Sequence, residues 1–239
     1  MPIKNELVKK QLLYGGTVEL MFNPIGHKYT VDGVRKLGVT TPLSVISKPA
    51  LLQWAVNLAV DDIKNNILAG TAYDELQLSN VLEAARTAHR KRKEEAADFG
   101  TLVHNWIEKY IKGENPPPLV NKTLNDAVNV FLKWVKDNNV KFTASEKPLY
   151  SKKHDYCGTI DFTCEINGKR YLGDLKTSKG IYDEHFMQLA AYRYADEEET
   201  GKPYAGAFIV RIPKTEDDRV EIANANNYKT CFKGFVIKH

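Results

Sequence analysis

Several features that define common protein classes are missing from this chain of 239 residues. No apolar run is long enough to span a bilayer, and the first residues, MPIKNELVKK, lack the apolar core of a signal peptide. The cysteines Cys157, Cys164 and Cys231 form an odd set without metal-binding spacing. We therefore expect a cytoplasmic protein with reduced thiols and no membrane partner.

Signatures of several enzyme classes are absent as well. The sequence has no G-x-x-x-x-G-K-[ST] loop, so nothing indicates ATP hydrolysis and no ATP cofactor is expected. It has no H-E-x-x-H or G-x-S-x-G motif either, which removes the obvious peptidase and esterase classes. The composition is that of an ordinary globular protein, with 43% hydrophobic residues and a net charge of +4. This mild basicity permits a polyanionic partner without requiring one.

The first part of the chain predicts short strands followed by helices. Residues 14–46 favour strands, with a hairpin around Asp32-Gly33 and a further extended stretch in VTTPLSVI. Ser47 is a candidate helix N-cap, and the helix that follows it is expected to close near Gly70.

The second part predicts helices and strands in alternation. Helical periodicity covers about 74–97 and begins again at Gly100, and the proline-rich stretch at 114–120 is a stiff linker. The expected order is then a helix, three strands, a helix over about 182–199, strands at 205–212 and 219–224, and a short tail. This pattern predicts an α/β (α+β) fold with a central mixed sheet flanked by helices. We expect residues 1–113 to pack on a core of residues 120–239 as one compact domain.

The stretch GTIDFTCEINGKRYLGDLKT carries the main functional signal. Asn167-Gly168 predicts a two-residue type I′ turn, which would pair residue i with residue 335−i and set Asp161 opposite Asp174. Lys176 would share the face of Asp174. The opposite face is expected to be a core face, formed by Ile160, Phe162, Cys164, Ile166, Tyr171 and Leu175.

Two facing carboxylates are unfavourable in a hairpin. At roughly 5 Å they repel by about 1 kcal/mol in water and about 3 kcal/mol at an effective dielectric near 20. A divalent cation bound by both would remove this cost. The alternative is a solvated face on which the acids splay apart and Lys176 neutralises one of them. The hairpin alone leaves both interpretations open.

Other residues are candidates to complete a site. Lys176 could stabilise a metal-bound hydroxide, or be an ordinary surface lysine, and the Leu175 carbonyl is a further oxygen ligand. Gln188 and Tyr192 share a helix face and could support the site or a phosphate, or merely lie at the core margin. Glu146 could face the same site or be a solvated strand acid.

Basic and imidazole side chains have competing interpretations too. His104 lies at the edge of an apolar helix face, where a lone histidine is more often a core-margin residue than a ligand. Charge runs such as HRKRK are usually solvated helix faces. The candidates for nucleic-acid binding are Arg90, Arg92, Lys93 and Lys179.

Taken together, these motifs resemble the PD-(D/E)XK nuclease superfamily, and most closely its RecB-like exonuclease branch. The resemblance rests on GTIDF, GDLKT, QLAAY, the Gly100-x-x-x-His104 pair and the earlier stretch VTTPLSVISKPALLQWA. Along the chain, within residues 25–195, these elements occur in the order that is expected for the family. The stretch VTTPLSVISKPALLQWA is similar to small stand-alone members from phages and mitochondrial genome maintenance. The signature proline is absent, since Ile160 precedes Asp161.

The resemblance implies a restriction-endonuclease-like core with an N-terminal extension. It further implies that His104, Asp161, Asp174 and the Leu175 carbonyl bind Mg²⁺ or Mn²⁺. Lys176 would activate water, and Gln188 and Tyr192 would support the site. Three cysteines argue against the iron–sulfur cluster of some relatives.

The function expected from this resemblance is a metal-dependent DNA exonuclease favouring single-stranded ends, in repair or recombination, with recombination or replication proteins as partners. The alternatives are a structure- or sequence-preferring endonuclease, a catalytically inactive nucleic-acid-binding module, and an RNA-directed or nucleotide-editing enzyme. The sequence leaves digestion polarity and oligomeric state open.

Overall fold

A computed structural model describes residues 8–44, 49–214 and 220–238. The strands, numbered in chain order, are β1 Lys9–Leu13, β2 Val18–Asn23, β3 Lys28–Val31, β4 Val34–Gly38, β5 Lys141–Ser151, β6 Tyr156–Ile166, β7 Lys169–Lys176, β8 Gly206–Arg211 and β9 Glu221–Asn224. The helices are α1 Thr40–Leu43, α2 Pro49–Asn66, α3 Glu75–Ile111, α4 Lys122–Asp137, α5 Asp183–Thr200 and α6 Tyr228–Lys238. The predicted mixed sheet flanked by helices is confirmed.

One sheet runs through the molecule in the order β1-β2-β3-β4-β6-β7-β8-β9, and β5 pairs with β6. The first four strands are antiparallel neighbours, and β4 then runs parallel to β6, with Leu37 paired to Tyr156. Strands β7 and β8 are also parallel. The N-terminal strands are therefore part of the same sheet as the hairpin β6–β7.

The two edges of β6 are used differently. Strand β5 pairs along one edge, from Tyr156 to Glu165. The other edge is shared, because β4 pairs with residues 156 and 157 and β7 pairs with residues 162–166. In the described ladders, residues 158–161 have no strand partner on this edge. The sheet therefore splits beside Asp161.

Helices cover both faces of the sheet. On one face, Leu189 of α5 and Phe235 of α6 belong to a buried cluster with Leu172 and Ile209. On the other face, Trp134 of α4 contacts Phe208, with 5.8 Å between the ring centroids. Helix α4 begins at the Asn121 cap, whose side chain accepts a hydrogen bond from the amide of Leu124 at 3.1 Å.

Several predicted elements differ in the structure. VTTPLSVI is not a strand over its described part, because Thr40–Leu43 form the short helix α1. The break expected before Gly100 is absent, and α3 continues through this glycine, since a single glycine costs a helix only about 1 kcal/mol. The short tail after 225, for which no element was predicted, forms the helix α6. Ser47 lies outside the described residues.

By its contacts the chain divides into two compact units, residues 1–46 with 103–239 and residues 47–102. The first unit holds the whole sheet together with α1, α4, α5 and α6, and the second holds α2 and the first part of α3. Folding of the chain as a single domain stays a prediction. Within the described ranges, no helix combines the length and apolarity needed to cross a membrane.

Candidate active site

The hairpin β6–β7 forms in the predicted register. Asn167 and Gly168 both have positive φ, at 52° and 71°, as a type I′ turn requires. The pairs run from Ile166 with Lys169 to Phe162 with Gly173, and each obeys the expected sum of 335. The ladder ends directly before Asp161 and Asp174.

Asp161 lies where the alternation of β6 breaks. Ile160 packs in the cluster under α5, whereas Phe162 contacts Phe142 and Phe208 on the α4 side. The prediction that Ile160 and Phe162 share one core face was therefore wrong. The alternation of β6 breaks opposite Glu146 of β5, whose positive φ interrupts the extended backbone of that strand.

The carboxylate of Asp161 connects β6 to β7 where the two strands are no longer paired. Its Oδ2 accepts a hydrogen bond of 2.7 Å from the amide of Leu175, and its side chain is 17% exposed. Burial raises the pKa of Asp161, although the charge of Lys176 and the Leu175 amide oppose the shift. The two acids therefore belong to one site without being a regular cross-strand pair.

Asp174 is fully buried beside Lys176. The Nζ atom of Lys176 lies 2.5 Å from Oδ2 of Asp174 as an ion pair. Within the described part of the chain, neither carboxylate oxygen of Asp174 has a partner with hydrogen-bond geometry. Burial raises the pKa of Asp174 to about 6; Lys176 opposes this rise and the charge of Asp161 adds to it. The ion pair thus leaves part of this buried charge uncompensated.

Lys176 is held in its charged form. Burial disfavours its ammonium group, but the charges of Asp174 and Asp161 outweigh that effect and raise its pKa above the ordinary lysine value. Its side chain is mostly buried. It is therefore a fixed cation at the carboxyl end of β7, and the alternative of an ordinary surface lysine does not describe it.

His104 of α3 lies beside Asp161 and Leu175. Its Nδ1 atom lies 3.9 Å from Oδ2 of Asp161, and its side chain hydrogen-bonds to the carbonyl of Leu175. Burial lowers the pKa of His104 to about 4, and the charge of Lys176 contributes. The imidazole is therefore neutral near pH 7, which is the form that binds metals.

Glu146 brings a third acid to the site from β5. The pairs Ser145–Phe162 and Lys147–Ile160 flank it, so it lies across from Asp161. Its φ is +49°, which is unusual for a glutamate and is typical of strained functional positions. Burial raises the pKa of Glu146 to about 7, with contributions from Asp161 and Glu108.

Glu108 was missed by the sequence analysis. It follows His104 by four residues on α3 and therefore shares its helix face, and this spacing was the signal that could have found it. Its charge acts on Glu146. Consecutive strands β5, β6 and β7 each supply one acid, and α3 adds an imidazole and a carboxylate.

Gln188 and Tyr192 contact each other on α5. The amide Nε2 of Gln188 donates to the hydroxyl of Tyr192 at 2.8 Å. Burial raises the pKa of Tyr192 well above its usual value, and the charge of Asp174 contributes, so its phenol is neutral. A Cβ atom on Gly158 would lie 2.5 Å from the Tyr192 ring, so glycine is required there for the ring to pack on β6.

The basic candidates fall in two separate parts of the chain. Lys179 is exposed on the segment after β7. Burial of Lys214 lowers the pKa of that residue, and the positive charge of Lys179 lowers it further. Arg90, Arg92 and Lys93 belong to the unit of residues 47–102. Two of them line a cavity of about 590 Å³, whose lining residues are Glu83, Arg86, His89, Arg90 and Lys93. Arg92 forms an ion pair with Glu95 at 3.2 Å.

The donor set suits a divalent cation of the oxygen-preferring kind. Asp161, Asp174 and the Leu175 carbonyl offer hard oxygen atoms, and a cation would relieve the uncompensated charge of Asp174. Over the residues that the structure describes, no three His, Cys, Asp or Glu side chains form a ready-made cluster. Mg²⁺ commonly binds through one or two carboxylates and keeps several waters, so this sparse set fits it.

Comparisons with known proteins identify no family. No family model and no curated protein matches the chain. The crystal structure of SSO0001 is 14% identical over 80% of this chain and 87% of that one, with a TM-score of 0.35. A crystal structure named "Putative exonuclease" from Eubacterium rectale is 15% identical over 79% of this chain and 80% of that one, with a TM-score of 0.42.

Proposed function

We propose that this protein is a metal-dependent deoxyribonuclease that hydrolyses phosphodiester bonds, acting as an exonuclease on single-stranded ends. The observation that carries the proposal is the buried carboxylate of Asp174, which is paired with Lys176 and receives no further hydrogen bond within the described part of the chain. A structural carboxylate at such depth is normally satisfied by hydrogen bonds. A site that binds a cation and a phosphate gives this arrangement a use.

Asp161, Asp174 and the Leu175 carbonyl would hold Mg²⁺ or Mn²⁺, with the neutral imidazole of His104 beside them. When bound, the cation neutralises charge on the scissile phosphate and acidifies a water. The chain's own part is to keep these donors fixed. The Leu175 amide holds Asp161, and the imidazole of His104 is tied to the Leu175 carbonyl.

Lys176 would act directly in the chemistry. Its ammonium remains charged because of Asp174 and Asp161. In-line attack at phosphorus builds up negative charge on the non-bridging oxygens, and a fixed cation beside the attacking water stabilises that charge. Gln188 and Tyr192 would orient the phosphate or the lysine, since their mutual hydrogen bond fixes both side chains. Glu146 would hold the attacking water from the β5 side.

The basic candidates would contact the DNA backbone. Arg90 and Lys93 lie on one face of α3 and would bind phosphates without reading sequence, as would Lys179. Arg92 already pairs with Glu95 and would contribute less. Such contacts make binding weaken as salt is raised.

The experiment that tests the proposal uses end-labelled single strands, linear duplex and closed circles. Each is incubated with Mg²⁺, Mn²⁺ or EDTA. Lys176→Ala serves as the test variant, and Lys169→Ala, an exposed lysine of the same strand, is the matched control. We expect metal-dependent loss of linear single strands by the wild type and Lys169→Ala, and none by Lys176→Ala.

Other outcomes would redirect the assignment. Nicking of closed circles would indicate an endonuclease of the same active-site chemistry. Cleavage of labelled RNA in preference to DNA would change the substrate class. If no substrate is cut under any metal condition while DNA still binds, the chain is a binding module and the catalytic proposal is wrong.

A further inference from the structure

Tyr29 connects the N-terminal strands to the candidate active site. It lies in β3, pairs with Phe22 and Lys36 on the neighbouring strands, and is 6% exposed. Its ring stacks on Phe22 with 4.8 Å between centroids. A Cβ atom on Gly38 would lie 3.1 Å from the Tyr29 ring, so the ring fills the space above this glycine. The side chain is thus held in one position.

The hydroxyl of Tyr29 meets β6 where the strand lacks a ladder partner. It lies 3.0 Å from the Oγ1 atom of Thr159, within hydrogen-bond distance. Thr159 belongs to the stretch of residues 158–161 between the pairings of β4 and β7. Along this unpaired edge of β6, side chains take the place of backbone pairing. Tyr29 joins β3 to Thr159, and Asp161 joins β6 to the Leu175 amide of β7.

The surroundings of Thr159 belong to the site. Asp161 follows it by two residues and bonds to the Leu175 amide, and Gly158 precedes it and supports the ring of Tyr192. Burial raises the pKa of Tyr29 to about 12, and the charges of Glu146 and Asp161 contribute. Its phenol is therefore neutral near pH 7, and it lies close enough to these acids for their charges to affect its pKa.

We propose that Tyr29 is a positioning residue, whose hydroxyl holds Thr159 and thereby fixes the split edge of β6 so that the Asp161 carboxylate is placed for cation binding. This inference rests on the proposed function, because it assumes that Asp161 binds the cation. Residues that orient metal ligands typically change metal affinity by 10–100-fold when they are replaced.

The test measures Mn²⁺ binding by calorimetry, without DNA. Tyr29→Phe keeps the ring and removes the hydroxyl, and Thr159→Val removes the partner. Tyr150→Phe is the matched control, because Tyr150 is also buried and its hydroxyl bonds to Asp155 at 2.7 Å. We expect Tyr29→Phe and Thr159→Val each to weaken Mn²⁺ binding about tenfold, and the double variant to add little. Thr159→Ser should restore wild-type affinity.

The outcomes separate this inference from the proposed function. If wild type binds Mn²⁺ and Tyr29→Phe binds it equally well, the positioning role is wrong and the proposed function is untouched. If Tyr29→Phe and Tyr150→Phe lower the melting temperature equally and leave the Mn²⁺ affinity unchanged, Tyr29 serves only in packing. If neither wild type nor any variant binds Mn²⁺, the metal site itself fails and both proposals fall.

Discussion

Asp174 and Asp196 are equally buried, but their surroundings shift their pKa values in opposite directions. Each has no solvent exposure. Asp196 is surrounded by partners, since Lys147 bonds to Oδ1 while Arg170 and Tyr204 each bond to Oδ2 at 2.7 Å. Asp174 is paired with Lys176 and has no further hydrogen-bond partner in the described ranges.

The pKa values of the two carboxyls move in opposite directions. Burial acts to raise both, but at Asp196 the hydrogen bonds from Lys147 and Tyr204 outweigh it and the pKa falls below the ordinary value. At Asp174 burial prevails and the pKa rises to about 6. Depth alone therefore does not distinguish a structural carboxylate from a candidate catalytic one. The hydrogen bonds that each carboxylate receives distinguish these two residues.

The strongest test of this contrast is Asp174→Asn. The variant keeps the shape and removes the charge, so we expect nuclease activity to fall by about 10³-fold. The free energy of unfolding in EDTA at pH 7 should change much less than in Asp196→Asn, because removal of an under-compensated buried carboxylate offsets the loss of the Lys176 partner, and Lys176 keeps the charge of Asp161. Cleavage assays and urea denaturation measure the two effects. A large loss of stability would show that Asp174 is structural.

Asp196→Asn should do the reverse. Removing one partner of a buried charge network leaves Lys147 and Arg170 without their carboxylate, which typically costs about 3–5 kcal/mol. We expect a large fall in urea midpoint, with metal-dependent activity per folded molecule kept. Loss of activity in fully folded protein would contradict the separation of the two sites.

The two carboxyls should also differ in pH dependence without metal. A carboxyl with a raised pKa contributes stability below pH 4, which is lost as pH rises through about 6, because the folded state binds the proton more tightly. The stability difference between Asp174→Asn and wild type should therefore grow by up to about 3 kcal/mol from pH 4 to pH 7. Denaturation in EDTA across this range measures it, and a constant difference would refute it.

The smallest effect is expected from Tyr204→Phe. This variant removes one of several bonds to Asp196 and keeps the ring under the Arg170 guanidinium, which lies 3.9 Å from the ring centroid. A single hydrogen bond to a charged acceptor contributes about 1.5–3 kcal/mol, and we expect the lower end because Asp196 keeps its bonds to Lys147 and Arg170. Thermal and urea denaturation should show a loss of this size. A loss as large as that of Asp196→Asn would mean that Tyr204, rather than the cations, dominates the network.

Local sequence signals predicted much of the fold. The pair Asn167-Gly168 determines its turn through positive φ at both positions, so the register of β6 and β7 followed correctly from two residues. The Asp32-Gly33 turn behaves in the same way between β3 and β4. Helix α5 was placed to within one residue of its observed bounds. Each of these features depends on neighbours in the chain.

Features that depend on distant contacts could not be predicted. Alternation alone gives no sign that β6 changes its packing between Ile160 and Phe162, because the irregular residue opposite this change, Glu146, lies on the neighbouring strand β5. The contact of Tyr29 with Thr159 joins segments that no local pattern connects. Gly100 favours a helix break by propensity, yet α3 continues through it.

The parallel pairing of β4 with β6 also governs when the sheet can be completed during synthesis. Leu37 pairs with Tyr156, so the partners are separated by roughly 120 residues and close a long loop at an entropic cost that grows with its length. Translation delivers the first four strands long before their partner. Until β6 leaves the ribosome, β4 remains an open edge, which is the kind of edge that other extended chains can pair with. The helices α2, α3 and α4 are all synthesised during that interval.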